Sequence, residues 1–137
     1  MKRLLSLLLL SAIALPIVSQ ELGANAKYIK EKYPSDYTNT IRKYALKEWG
    51  DDYQMVVYEI NLQCDALVEL VNDFESENTN IAYKAIQEWS QDGYETRNSQ
   101  EFQKLKVFGV EQLLKLHCDW QMVKYEYDLQ VKAKNAF

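Results

Sequence analysis

The sequence is poor in the residues that build phosphate loops, metal sites and cross-links. Its 137 residues include only four glycines, two prolines, two cysteines and one histidine. So few glycines argue against a glycine-rich phosphate loop, and a single histidine does not complete a common zinc set, so we expect no cofactor and no metal. The patterns G-x-S-x-G and H-E-x-x-H do not occur either. These absences argue against an enzyme.

An excess of positive charge is also missing. Lysine and arginine total 16 against 20 aspartates and glutamates, which gives a net charge of −4. Nucleic acids and anionic lipids both select a basic surface, so we expect neither as a partner. What is abundant is tyrosine, with ten residues. Tyrosine rings serve a small core and are also favoured at protein contact surfaces.

No apolar run is long enough for a permanent membrane span. The longest runs from Leu4 to Val18, whereas a spanning helix needs about 20 residues. A short apolar run after a basic start, followed by Ala24-Asn25-Ala26, is typical of a cleaved signal peptide. We therefore expect a periplasmic or secreted protein with a signal peptide at 1–26 and one domain at 27–137. A cut near Gln20 and an uncleaved N-terminal anchor are the alternatives.

The two cysteines, Cys64 and Cys118, form an even pair. In an exported chain such a pair predicts a disulfide, and the alternative is two buried thiols that pack as small apolar residues. His117 and Asp119 flank Cys118 and suggest a metal or thiol–imidazole site. Adjacent helical residues point in different directions, so such a site would need help from Cys64 or Glu111.

Apolar residues recur at steps of three and four along most of the domain. This period predicts an all-α fold, a small bundle of about four to five helices. One helix is expected from about Tyr37 to Trp49, and a second opens at the capping box Asp51-x-x-Gln54. Further helices are expected around 81–89 and 120–131. The clearest stripe, on the second helix, consists of Val56, Ile60, Cys64, Leu67, Val71 and Phe74.

Self-comparison indicates partial copies of one helix–turn–helix unit. Residues 41–49 align with 81–89 at an offset of 40, and residues 52–63 align with 119–130 at an offset of 67. The first copy is complete, the second keeps its first half and the last keeps its second half. Helix capping and aromatic packing across the turn explain the repeated residues without an active site. The repeated residues are Trp49, Asp52, Tyr53, Met55, Tyr58, Trp89, Asp92, Trp120, Met122 and Tyr125.

The first turn resembles a motif of small uncharacterised exported bacterial proteins. The segment from Trp49 to Tyr58 follows the pattern Trp-x-x-Asp-Tyr-x-Met-x-x-Tyr, with Gln63 further on. Glu59 stands where those proteins frequently have a cysteine, so no disulfide pattern is carried over. The resemblance implies an exported helical protein of bacterial type and no particular activity.

Export, helical repetition, aromatic content and missing catalytic motifs favour a non-enzymatic module that binds a protein partner. An immunity or inhibitor protein is one specific form of this hypothesis. The alternatives are a small envelope enzyme using His117 and Cys118, and a structural envelope protein that self-associates through its repeats. Acidic residues such as Glu48, Asp51 and Glu88 could serve as general acid and base, but capping and surface solvation explain them more simply.

Overall fold

A computed structural model describes residues 21–91, 104 and 108–137. Over these residues the all-α prediction is confirmed, since helices dominate and the one β feature is an isolated antiparallel bridge between Ser90 and Cys118. Within the same ranges no helix has the length and hydrophobicity to span a membrane. The helical elements are α1 (Ala24–Lys32), α2 (Pro34–Asp36), the π-helix π1 (Tyr37–Arg42), α3 (Lys43–Trp49), α4 (Tyr53–Asp73), a 3-10 turn (Ser76–Asn78), α5 (Thr79–Glu88), α6 (Val110–Leu113) and α7 (Trp120–Asn135).

The helix expected from Tyr37 to Trp49 is present and begins earlier, at Pro34. Proline suits the first turn of a helix, because the N–H that it lacks would have no intrahelical partner there. Helices α2 and α3 are joined by the wider turn π1. Helix α3 ends at Gly50, which has a φ of 58°. Glycine adopts this conformation with far less strain than residues that carry a Cβ atom.

Helix α4 is the centre of the bundle and contacts α1, α3 and α7. It begins after Asp52, whose carboxylate accepts a hydrogen bond from the Met55 backbone N–H at 3.3 Å. The predicted capping box at Asp51 is therefore wrong by one residue, because Asp52 has the non-helical backbone that an N-cap requires. The predicted stripe does face the core. Its members Val56, Ile60, Cys64 and Leu67 are buried, and Val71 and Phe74 pack against the core edge.

Helix α7 closes the bundle against α4 and α5. Its Trp120 and Val123 are fully buried, and Tyr127 is 2% exposed. At the far end of the bundle, the Phe108 ring stacks on Phe74 with ring centroids 3.7 Å apart. The helices expected around 81–89 and 120–131 are thus both present as α5 and α7.

The structure does not support the predicted disulfide between Cys64 and Cys118. Both cysteines are free and buried. The Cys118 thiol lies 3.8 Å from the carbonyl of Ile86 and so packs against α5, whereas Cys64 lies within α4. Burial raises the pKa of the Cys64 thiol to about 12, and the nearby Asp65 charge adds to this effect. Two buried thiols that pack as small residues, the alternative expectation, fit this arrangement.

The sequence reasoning missed helix α1, which begins inside the expected cleavage site. Ala26 lies in its first turn and is fully buried. Just before the helix, the Gly23 N–H donates to Asn61 Oδ1 at 2.8 Å, and Asn61 Nδ2 donates to the Glu21 carbonyl at 2.9 Å. Glu21 and Gly23, which precede Ala26, are therefore hydrogen-bonded to α4.

Candidate functional site

Two turns of the fold share the same hydrogen bonds. In the first, the Asp52 N–H donates to the Trp49 carbonyl at 3.1 Å, and in the second the Asp119 N–H donates to the Trp89 carbonyl at 3.0 Å. Each aspartate then caps the following helix by accepting from the methionine N–H three positions on, at 3.3 Å in both cases. Trp89 and Asp119 are thirty residues apart in sequence, yet they are placed like Trp49 and Asp52.

Helices α5 and α7 therefore pair as α3 and α4 do, although a long segment separates them. Beside the end of α5, the Gln91 N–H donates to the His117 carbonyl at 2.8 Å. In the structure, Asp119 occupies the place next to Trp89 that the sequence alignment predicts for Asp92. Asp92 itself lies outside the described residues.

The pair α3 and α4 carries a buried polar site, which we call the closed groove. It is filled by the first residues of α7. Tyr44 Oη donates to Asp119 Oδ2 at 3.0 Å, and Gln63 Nε2 donates to Asp119 Oδ1 at 2.8 Å. The Trp120 N–H donates to Gln63 Oε1 at 2.6 Å. One glutamine thus binds both the cap and the first backbone N–H of α7. The closed groove is defined by Tyr44, Glu48, Trp49, Glu59 and Gln63.

Glu59 is an acid that this site holds almost entirely out of water, with 2% of its surface exposed. Burial raises its pKa to about 7, and the charge of Asp119 adds to this, while the hydrogen bond from Gln63 acts in the opposite direction. Its Oε2 has no hydrogen-bond partner among the described residues. The pKa of Tyr44 is also raised, first by burial and then by the charge of Asp119. Burial in the groove therefore favours the protonated form of Glu59.

A second groove lies between α5 and α7, and we call it the open groove. It has a volume of about 360 Å³. Gln130 Nε2 donates to Glu126 Oε1 at 3.1 Å here, so the glutamine lies against its own helix. The lining residues are Ile81, Lys84, Ala85, Glu88, Trp89, Glu126 and Gln130. At offsets of 40 and 67 they align with Ile41, Tyr44, Ala45, Glu48, Trp49, Glu59 and Gln63.

The open groove is therefore lined, position by position, by the counterparts of the closed groove and of two neighbouring residues, Ile41 in π1 and Ala45 in α3. Its largest chemical difference is at one position, where Lys84 stands in place of Tyr44. The closed groove contains the start of α7, and no described segment of the chain takes that place in the open one.

Aligned residues that do not line the grooves have opposite exposure. Tyr53 is 70% exposed, whereas its counterpart Trp120 is fully buried in the bundle. In the other direction, Tyr58 is 8% exposed and its counterpart Tyr125 is 50% exposed. Met122 is buried in the core, and Met55 is half-buried. We call the exposed helix start Asp52–Tyr53 the head, because its counterpart Asp119–Trp120 is what fills the closed groove.

The residues of the alternative thiol–imidazole site are placed differently from what that site needs. Cys118 is 3% exposed, His117 is half-buried and Glu111 is exposed on α6. In residues 21–91 and 108–137, no three side chains among His, Cys, Asp and Glu are grouped so that they could hold a metal ion.

Sequence reasoning placed Gln63 in the motif but did not foresee that Tyr44, Glu59 and Gln63 form a buried polar site. A usable signal was present, since Glu59 and Gln63 are one helical turn apart and lie beside the apolar stripe that includes Ile60. Their recurrence at Glu126 and Gln130 was the second part of that signal.

Comparisons with known proteins leave the geometry as the basis for assigning a function. No protein-family model, no curated protein and no solved structure matches this chain.

Proposed function

We propose that this chain is exported and that its mature domain is a non-enzymatic helical module that binds a protein partner in the open groove. The observation that carries the proposal is the pair of grooves, one filled and one open, with aligned lining residues. The closed groove already binds a helix start within the chain. The open groove has aligned lining residues and is therefore suited to make the same kind of contact with another chain.

The closed groove indicates the chemistry of the partner. It accepts a helix start that consists of an aspartate cap followed by an aromatic residue. In the open groove, Gln130 has the position that lets Gln63 bind both groups, and the Lys84 ammonium can pair with the cap carboxylate where Tyr44 donates a hydroxyl. Charge-assisted hydrogen bonds of this kind are stronger than neutral ones. The partner therefore presents an acid-capped helix start with an aromatic residue behind the cap.

The architecture belongs to the same proposal. We infer that the domain consists of two degenerate copies of one helix–turn–helix unit, with the second copy divided by the segment 90–118. The matching cap and turn bonds of Asp52 and Asp119 support this reading. In this account the two grooves are equivalent by descent from one unit.

Export is supported by the sequence of the first residues, and contacts near Ala26 bear on the position of the cut. Cleavage after Ala26 would remove the bonds of Glu21 and Gly23 to Asn61 and the first turn of α1. Cleavage near Gln20 keeps all of them. We propose the cut near Gln20, and the intact mass of the protein recovered from the periplasm or medium tests it. A mature chain that starts at Lys27 and folds with full stability would contradict this choice.

A non-enzymatic role is supported by the positions of the reactive groups. Cys118 is buried, and the Glu59 carboxylate is enclosed beneath the start of α7. The net charge of −4 suits an inhibitor or immunity protein that meets a basic target. The helix start of the partner would then bind in the groove, and the partner's overall positive charge would attract the acidic domain over a longer range.

Site-specific photo-crosslinking in cells tests the proposal. Benzoylphenylalanine at position 81, which lines the open groove but has no proposed role in binding the cap, should form an adduct with the partner. Lys84→Glu should abolish this adduct, because the new acid repels the cap carboxylate. The same crosslinker at position 69, an exposed site on α4, is the matched control and should give no adduct that depends on Lys84. The proposal fails if position 81 gives no adduct, or if Lys84→Glu leaves the adduct unchanged.

A further inference from the structure

The chain itself presents the feature that the open groove is built to accept. The head, Asp52–Tyr53, is the counterpart of Asp119–Trp120 and begins a helix with the same cap geometry. Asp119 and Trp120 are buried in the closed groove, whereas Asp52 is exposed and Tyr53 is 70% exposed.

We infer that the occupant of the open groove is the head of a second copy of this chain, in a head-to-tail contact. The inference rests on the proposed function and specifies its partner. Within one molecule, the second unit places its helix start in the groove of the first. Between molecules, the first unit of one copy would place Asp52 and Tyr53 in the groove of the second unit of the next.

One pair of opposite charges favours this pairing, although Glu88 and Glu126 also line the open groove. The head carries adjacent acids, Asp51 and Asp52, and both are exposed. Lys84 lies in the open groove at the position from which Tyr44 binds Asp119 in the closed one. An ammonium at this position meets the incoming carboxylate, and Gln130 can turn from Glu126 to bind it, as Gln63 binds Asp119. Tyr53 then covers apolar surface next to the cap.

The contact is heterologous, because it joins two different surfaces of identical chains. Such contacts close into rings when the rotation between subunits permits, and otherwise they continue as open filaments. Each molecule has one head and one open groove, so an assembly stops adding copies only when it closes into a ring. This contact would explain how an envelope protein self-associates through its repeats.

Light scattering and sedimentation of the mature chain test the inference. Association should appear at protein concentrations of up to about 1 mM, the weak end of the affinity scale. The head variant Tyr53→Ala and the groove variant Lys84→Glu should each be monomeric. Both positions are exposed, so the fold should be retained. Tyr28→Ala removes another exposed tyrosine, on α1, and should associate like the parent chain.

Mixing the variants gives the decisive result. The Tyr53→Ala chain still has an intact groove and the Lys84→Glu chain still has an intact head, so the mixture should form a one-to-one dimer that grows no further. A strictly monomeric parent chain overturns the inference, and so does association that both variants leave unchanged. If the parent is monomeric but the crosslinker at position 81 still captures another protein in a Lys84-dependent manner, only self-association fails. If neither occurs, the proposed function fails as well.

Discussion

Glu59 offers the sharpest test of the closed groove, because one substitution removes a single ionisation from a buried site. The side chain is 2% exposed and faces Asp119 from α7 and Glu48 from α3, with Gln63 on its own helix. Replacement of Glu59 by glutamine keeps the shape and the capacity to hydrogen-bond, and it removes the charge. We expect this variant to be more stable than the parent chain in alkaline buffer.

The magnitude follows from the pKa of Glu59, which rises from 4.5 in an exposed side chain to about 7 in the folded protein. Each pKa unit corresponds to about 1.4 kcal/mol, so the full effect is about 3 kcal/mol. Between these two values the folded state holds a proton that the unfolded state has lost, and the free energy of unfolding therefore falls as the pH rises. The favourable contribution is complete below pH 4.5 and is lost above pH 7.

Urea unfolding followed by tryptophan fluorescence at pH 5, 6, 7 and 8 measures this dependence. The difference in unfolding free energy between Glu59→Gln and the parent chain should grow by about 2.5 kcal/mol in favour of the variant over this range, which covers most of the full effect. Glu69→Gln removes an exposed carboxylate from the same helix and should show no such trend. If the difference for Glu59→Gln is the same at pH 5 and pH 8, Glu59 is not held protonated by burial and the reasoning is refuted.

Three further changes probe the turn, the cap and the thiols. Gly50→Ala should lower the unfolding free energy by about 1 to 2 kcal/mol through backbone strain alone, since no atom lies within 4 Å of the added Cβ, and D-alanine there should restore stability. Gln63→Ala should cost about 3 kcal/mol in urea unfolding, because it leaves Asp119 with a buried oxygen that has lost a donor, and an isosteric Gln63→Glu that proves neutral would contradict this account. Cys64 and Cys118 should both react with a thiol reagent only after unfolding, and a non-reducing mass two hydrogens lighter would show instead that they are bridged.

The helices could be predicted because their signals are local. The stripe from Val56 to Phe74 fixes the buried face of α4 by its period alone, and Gly50 marks the end of α3 by its freedom to take a positive φ. The choice between Asp51 and Asp52 as the cap was beyond such reasoning. Adjacent aspartates have the same chemistry, and only the backbone angles of the turn select one of them.

The closed groove could be anticipated only in part, because its members come from three separate helices. Tyr44, Gln63 and Asp119 carry no common local pattern, and the hydrogen bonds that unite them depend on how α7 crosses α4. The disulfide prediction was not supported for a similar reason. The export compartment indicates whether a bridge is chemically allowed, whereas the distance between two buried thiols is set by tertiary packing.

The difference between Tyr44 and Lys84 fits the different roles proposed for the two grooves. A tyrosine hydroxyl can remain buried with one carboxylate partner, as it does against Asp119, because the hydroxyl itself carries no charge that has to leave water. A lysine in a permanently closed groove would bear the cost of losing its hydration. In a groove that fills and empties, the same lysine stays solvated while the site is empty and pairs with a carboxylate when the site is occupied. Lys84→Tyr should therefore make the open groove resemble the closed one and slow the dissociation of whatever binds there.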